Sequence, residues 1–208
     1  MTGVRQHRAG QQRAGQQRAG QQQAGRQQAG RHRAVLSVGS NLGDRLGTLQ
    51  GCVQAIGGLA DTDVLAISPV YETAPVGGPA QPDYLNAVLI VATARGPRSL
   101  LAATQRIEAD FGRVRPADAV RFGPRTLDID IISYDEEISD DPVLTLPHPR
   151  AHQRAFVLAP WHDVDPAATL PSRGPVAALL AALPAPAAGA AGGRDDVRSR
   201  PDLVLDAP

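Results

Sequence analysis

Two rhythms of apolar and polar positions alternate between Ala34 and Tyr134, and each marks a kind of element. Ala34-Val-Leu-Ser-Val38 is a short, nearly continuous apolar run, which predicts a buried strand. Gly39-Ser-Asn-Leu-Gly-Asp44 supplies the turn that ends it, with Asp44 placed to cap the next element. Leu46, Leu49, Val53 and Ile56 are spaced three, four and three apart, one face of a helix, and Gly57-Gly58 stops it. Val64 to Tyr71 and Tyr84 to Thr93 read as strands separated by a Pro/Gly-rich loop from Thr73 to Pro82. Pro97 suits a first helical turn, and Leu100, Thr104, Ile107 and Phe111 mark the buried face of a second helix that Gly112 ends. Leu127-Asp-Ile-Asp-Ile-Ile-Ser-Tyr134 has the two-residue period of a strand. The order strand, helix, strand, strand, helix, strand predicts an α+β fold. Its architecture is a ferredoxin-like α/β sandwich, a mainly antiparallel sheet with helices packed on it.

Both ends of the chain lack this rhythm. Residues 9–30 repeat an Ala-Gly-Gln-Gln-Arg pentapeptide, too polar and Gly-punctuated to bury a core. From Pro184 the chain is Ala/Gly/Pro-rich and then charged. The expectation is therefore a disordered arm over 1–33, one working domain over 34–183 and a disordered tail over 184–208. A length of 208 residues with 42% hydrophobic composition agrees with one domain.

Charge changes the picture of the arm. The formal net charge is zero, yet residues 1–33 carry seven Arg and no acid, leaving 14 Arg against 21 acids in the remainder. An Arg-rich arm meets nucleic acid or anionic membrane by charge alone, but this one has no aromatics for base stacking and no amphipathic period. Neither partner is expected. Lys is absent, which excludes a Gly-Lys-Ser/Thr phosphate loop and a Schiff-base Lys, so any phosphate must be met by Arg. The single Cys52 excludes an internal disulfide and a Cys-based metal site and fits a reducing compartment. With no secretory signal and no apolar run near the ~20 residues that span a bilayer, a cytoplasmic location is expected.

Candidate chemistry gathers around the last predicted strand. Side chains alternate along a strand, so Asp128 and Asp130 share one face while Leu127, Ile129 and Ile131 take the other. At about 3.3 Å of rise per residue the two carboxylates sit roughly 7 Å apart at Cα. Such a pair can hold two Mg²⁺ ions about 3.5–4 Å apart on the phosphates of a nucleotide; an ordinary solvated strand face carries the same pattern. Upstream lie Arg113, Arg115, Arg121 and Arg125, in a stretch where Asp118 is the one acid. Forked Arg donors suit phosphate oxygens, and a nucleoside triphosphate fits between such donors and metal-binding carboxylates. Downstream, His148 lies between two prolines, with Arg150 and Arg154 nearby. Among seven aromatic residues, Tyr84 and Phe156 stand near polar motifs, although core positions suit aromatics equally well.

Seven blocks occur in order: Gly39-Ser-Asn-Leu-Gly43, Ser68-Pro-Val-Tyr-Glu-Thr73, Gln81-Pro-Asp-Tyr-Leu-Asn-Ala87, Gln105-Arg-Ile-Glu108, Gly112-Arg-Val-Arg115, Phe122-Gly-Pro-Arg-Thr-Leu-Asp-Ile-Asp130 and Leu146-Pro-His-Pro149. From about Ala34 to Pro171 the chain resembles 6-hydroxymethyl-7,8-dihydropterin pyrophosphokinase. The resemblance implies an ATP-dependent diphosphokinase of folate biosynthesis. Such an enzyme moves the β,γ-diphosphate of ATP onto the pterin hydroxymethyl group and releases AMP. It implies that Asp128 and Asp130 bind two Mg²⁺ ions and that Arg113 and Arg125 serve catalysis with them. It assigns Gln105, Glu108, Arg115, Arg121, Ile131, Thr145, His148 and Arg154 to the nucleotide. Tyr84 and Phe156 are to sandwich the pterin, Asn86 to read its hydrogen-bonding edge, and Thr73 and Val76 to complete that edge through the backbone. Neighbouring folate-pathway enzymes are the further partners it admits.

The chain departs from the family pattern at Pro116, Phe122, Val143 and Pro149, where basic, Trp, polar or aromatic residues are frequent. Pro116 and Phe122 bear on the motion of the Arg-rich loop more than on the reaction, and Val143 and Pro149 bear on ATP affinity. A metal-dependent nucleotide-sugar transferase also uses Asp-x-Asp, but leaves the Arg cluster and the aromatics unexplained. Nucleic-acid binding explains the arm and nothing beyond it.

Overall fold

β1 (His32–Ser40) is an interior strand of the sheet, and seven of its nine residues, Ala34 to Ser40, are buried on both faces. In the computed structural model the described residues are 30–75, 79–113, 123–184 and 197–208. The expected arm over 1–33 lies, up to residue 29, outside them. The compact unit begins at His32, so the strand starts two residues before the apolar run.

The remaining elements come in chain order: α1 (Arg45–Gly57), β2 (Thr62–Ile67), β3 (Tyr71–Thr73), β4 (Tyr84–Thr93), α2 (Pro97–Asp110), β5 (Asp128–Tyr134), β6 (Ser139–Asp141) and β7 (Leu144–Leu146). After these come α3 (Ala155–Val164), β8 (Thr169–Leu170), β9 (Gly174–Pro175), α4 (Val176–Ala182) and β10 (Val197–Ser199). The main sheet is antiparallel throughout, in the order β10-β3-β4-β1-β5, with β2 also paired to β4. β5, β1, β4 and the β2/β3 edge give the expected α+β, ferredoxin-like arrangement.

The predicted strand from Val64 to Tyr71 is two strands sharing one edge of β4. Thr62 to Ile67 pairs with the far half of β4 and Tyr71 to Thr73 with Tyr84–Asn86. Pro69 has no N–H to give a ladder. Ser68 bridges the gap, donating its backbone N–H to Val88 O at 2.9 Å and accepting the Val88 N–H on its hydroxyl at 2.8 Å.

Asp44 caps α1 as expected, its carboxylate accepting the Gly47 N–H at 3.0 Å, and Pro97 occupies the first turn of α2. Leu49, Cys52, Val53 and Ile56 of α1 and Leu100 and Ile107 of α2 pack on one face of the sheet against Leu36, Val38, Leu89, Ile129 and Ile131. The other face is partly covered: Val157, Leu158 and Trp161 of α3 and Val176 of α4 meet Val35, Val88 and Ile132. The uncovered end of this second face is where the strand ends carrying the polar residues lie.

One expectation fails. The tail predicted as disordered over 184–208 is ordered from Val197 onward. β10 pairs antiparallel with β3, Leu205 is buried, and Leu203 packs on the first core. Its apolar residues are few, but they meet a ready groove and a free strand edge, contacts that local composition does not record. Residues 185–196 lie outside the described residues.

Candidate active site

Residues directly opposite in an antiparallel ladder share a face, and that rule assembles the site. Asp128 stands opposite Gly39, Gly39 opposite Asn86, and Asn86 opposite Tyr71. One row thus crosses four strands. Asp130, Ser37 and Val88 form the next row inward, while Tyr84 and Thr73 form the next row outward. Gly39 is required in this row: a Cβ there would fall 2.7 Å from Asn86 Oδ1, so only a bare backbone lets the Asn86 amide lie across β1.

The two carboxylates are surrounded by cations. Asp128, 23% exposed, accepts from Arg113 on one oxygen and from Arg125 on the other, each at 2.5 Å. Asp130, 33% exposed, accepts from Arg154 at 2.9 Å, with His148 Nε2 at 3.7 Å. Burial pushes the Asp128 carboxyl up, but the charges and hydrogen bonds of Arg125 and Arg113 outweigh it and hold the group below the usual carboxylate range. Burial lowers the His148 imidazole, with Arg154 and Arg150 acting in the same sense against Asp130. Its Nδ1 accepts the Arg150 backbone N–H at 3.2 Å, which assigns the proton of the neutral ring to Nε2, facing Asp130.

Glu108 holds this arrangement from behind. It is 2% exposed on α2, accepts the Ile129 N–H of β5 at 2.9 Å, and is ion-paired with Arg113. It therefore satisfies a backbone donor of the edge strand and orients the guanidinium that reaches Asp128. The Glu108 carboxylate, expected at the nucleotide, is engaged within the protein by the Ile129 N–H and the Arg113 guanidinium. The Ile131 side chain is buried in the α1/α2 core, on the face away from both Asp residues. Gln105 is exposed on α2, one turn before Glu108.

On the other side, Asn86 is buried and donates to Thr73 Oγ1 at 2.8 Å. Tyr84 is half-buried, its hydroxyl donating toward Gln81 Oε1 at 3.3 Å and Gly123 O at 3.4 Å. Phe156, in the first turn of α3, lies under the Arg154 guanidinium at 5.3 Å from its ring centre, so Arg154 links Phe156 to Asp130. Thr145 is half-buried on the β6–β7 hairpin and donates to Asp141 O at 3.1 Å, without being brought to the carboxylates. Val143 and Pro149 are exposed. Val76, Arg115, Pro116, Arg121 and Phe122 lie outside the described residues.

In the sequence Asn41 reads as part of a turn, and the structure gives it a larger part. Its buried side chain accepts the Arg125 N–H at 2.8 Å and donates to Gln81 Oε1 at 2.9 Å and Pro82 O at 3.1 Å. One amide thus ties the loop before Asp128 to the loop before Tyr84. A polar, uncharged residue between two glycines of a turn was the signal that could have found it.

A family model described as 7,8-dihydro-6-hydroxymethylpterin-pyrophosphokinase (HPPK) matches residues 35–166. The chain is similar to the 2-amino-4-hydroxy-6-hydroxymethyldihydropteridine pyrophosphokinase of Mycobacterium tuberculosis, at 48% identity over 164 residues, 73% of this chain and 84% of that one. It is similar to the protein of the same name from Pseudomonas aeruginosa, at 40% identity over 152 residues, 73% of this chain and 92% of the other. Among solved structures, a Plasmodium falciparum HPPK-DHPS matches 72% of this chain with a TM-score of 0.56 and 15% identity. That likeness concerns the fold, and the match spans 44% of the longer chain.

Proposed function

The chain belongs to the 7,8-dihydro-6-hydroxymethylpterin-pyrophosphokinase family and is an ATP-dependent pyrophosphoryl transferase acting on hydroxymethyldihydropterin in folate biosynthesis; on that premise we propose how its residues divide the work. The observation that carries the proposal is the placing of Asp128 and Asp130 on one face of β5 with Arg113, Arg125 and Arg154 within hydrogen-bond distance.

Asp128 and Asp130 fit Mg²⁺. They are hard oxygen donors at a partly open strand end, and Mg²⁺ takes one or two carboxylates together with substrate phosphates and water. Among the described residues no group of three or more candidate ligands is gathered. We assign two ions to this pair; when bound they offset phosphate charge and polarise the acceptor hydroxyl.

Without nucleotide, Arg113 and Arg125 neutralise Asp128, and Arg154 neutralises Asp130. With Asp128 and Asp130 holding the metal, these guanidiniums would be free to meet phosphate oxygens, which they suit in fork geometry. The ion pairs on Asp128 and Asp130 would thus give way to others. Arg113 and Arg125 flank the developing charge on the transferred diphosphate. Arg115, Arg121 and Gln105 remain assigned to the nucleotide, with Thr145 and His148 at its far side. Tyr84, Phe156, Asn86 and the Thr73 backbone receive the pterin. Stacking gives contact area there, while the Asn86 amide, aimed by Thr73 Oγ1, selects the ring's edge.

The nucleotide-sugar alternative accounts for the Asp pair alone. The reaction is placed in the cytoplasm, which fits an ATP-dependent step and a single, free Cys52. No helix among the described residues is long and apolar enough to cross a membrane. A neighbouring folate-pathway enzyme is the further partner we propose, since the matched Plasmodium chains are named HPPK-DHPS. Incubating the chain with ATP, Mg²⁺ and 6-hydroxymethyl-7,8-dihydropterin is expected to release AMP and pterin diphosphate in equal amounts, and neither when EDTA is added. ADP as the nucleotide product would overturn the reading.

A further inference from the structure

β3 is three residues long, too short to hold its position by one ladder, yet it carries Thr73, which aims the Asn86 amide. Its other edge is covered by the C-terminal segment, which lies beyond the family match. Val197, Arg198 and Ser199 pair with Thr73, Glu72 and Tyr71, and Arg200 extends the ladder by donating its N–H to Val70 O at 2.8 Å.

Side chains lock this pairing to the loop that precedes Tyr84. Glu72 receives Arg200 on one oxygen at 2.7 Å and Arg45 on the other at 3.0 Å. Arg45 also donates to Asp83 O at 2.7 Å, the residue next to Tyr84. Arg200 is held in turn by Asp202 through two hydrogen bonds, at 2.9 and 2.7 Å. The segment is anchored beyond this point. Leu205 is buried, and the Gln50 carboxamide makes two hydrogen bonds to the Asp206 backbone, at 3.0 and 2.8 Å. Pro208 occupies the space a Cβ on Gly57 would need. Burial raises the Glu72 carboxyl, but the hydrogen bonds and charges of Arg200 and Arg45 outweigh it and leave the group ionised and paired below its ordinary range.

We propose that the segment Val197–Pro208 is a positioning element for the pterin side of the site, acting through the Arg200–Glu72–Arg45 bridge, with Arg200 and Glu72 as positioning residues. The proposal rests on the assignment of Tyr84, Asn86 and Thr73 to the pterin. The bridge fixes both ends of the loop between β3 and β4, the end at Thr73 through β10 and the end at Asp83 through Arg45. It touches neither Asp128 nor Asp130, so its direct contacts fall on the pterin side.

The test measures two affinities on the full chain: that of α,β-methylene-ATP with Mg²⁺, and that of the pterin added to this complex. Arg200→Ala removes a partly exposed side chain and is expected to keep the fold, which its melting temperature checks. It is expected to weaken pterin binding by roughly twofold to thirtyfold, the range for residues that act through a network, and to leave nucleotide binding unchanged. Glu72→Gln is expected to do the same. Arg200→Lys, which keeps one charged contact to Glu72, is expected to recover most of the loss. A purely structural role would move the melting temperature without this selectivity. Tyr84→Ala is measured in parallel. If it is selective for the pterin while Arg200→Ala and Glu72→Gln are silent, the inference fails and the site assignment stands. If Tyr84→Ala weakens both ligands equally, the site assignment itself has failed.

Discussion

Glu108 is a carboxylate that resembles a ligand in the sequence and is a support in the structure. It lies on the buried face of α2 with a backbone donor and a guanidinium to satisfy. Removing one member of a buried pair costs more than the pair itself contributes, because the partner charge is left uncompensated. Glu108→Ala is expected to lower stability by about 3–5 kcal/mol, and Glu108→Gln, which keeps the acceptor for Ile129, by less. Urea unfolding of both variants checks this, and equal small losses would show that Glu108 is not the support described. What the sequence revealed at this scale was chemistry with short-range order. Asp128 and Asp130 share a face because strands alternate, and the Arg cluster was visible as a run of one charge. Ile131 turns away from the two Asp residues by the same alternation. The direction of Glu108 was not visible in the same way: it lies within a matching motif, but which side of a helix points inward depends on the neighbours it packs against. Asn41 was hidden for another reason: its three partners are 40 or more residues distant.

The positions of α1 and α2, the span of β4 and the strand carrying the Asp pair followed from their apolar patterns, whereas α3 and α4 were not read from the sequence. The edge formed by β2 and β3 did not, because a proline without an N–H breaks the ladder where the apolar pattern continues. Loops carry the site, and Asn41 ties two of them. Asn41→Ala removes the side-chain acceptor of the Arg125 N–H together with two donated hydrogen bonds, and loss of a buried partner costs about 1–3 kcal/mol. Amide hydrogen exchange at Arg125 is expected to accelerate in this variant, while amides within β4 keep their protection. Unchanged exchange at Arg125 would show that the two loops are held by other means.

Across the whole molecule, the C-terminal segment is the feature least visible in its own residues, because its order comes from a strand edge and a groove built by the rest of the chain. Its bridge makes a pH-dependent contribution to stability whose sign is determined. Glu72 has a folded pKa below its ordinary value of 4.5, so the stabilisation is present above that value and is lost as pH falls through the folded pKa. The stability difference between the wild type and Glu72→Gln is expected to be largest near neutral pH and to narrow below about pH 4.5, where protonated Glu72 resembles Gln. Denaturant unfolding of both proteins across that range checks it, and a constant difference would contradict the bridge.

The central claim is that one face of β5 gathers metal and triphosphate. The most direct measurement is the number of Mn²⁺ ions bound per chain, read by electron paramagnetic resonance, with α,β-methylene-ATP and pterin present in saturating amounts. Two ions are expected for the wild type, and fewer for Asp128→Asn and for Asp130→Asn, with the melting temperature of each variant close to that of the parent and AMP formation from ATP nearly abolished. Two ions in either variant, together with undiminished AMP formation, would contradict the assignment of that carboxylate to metal.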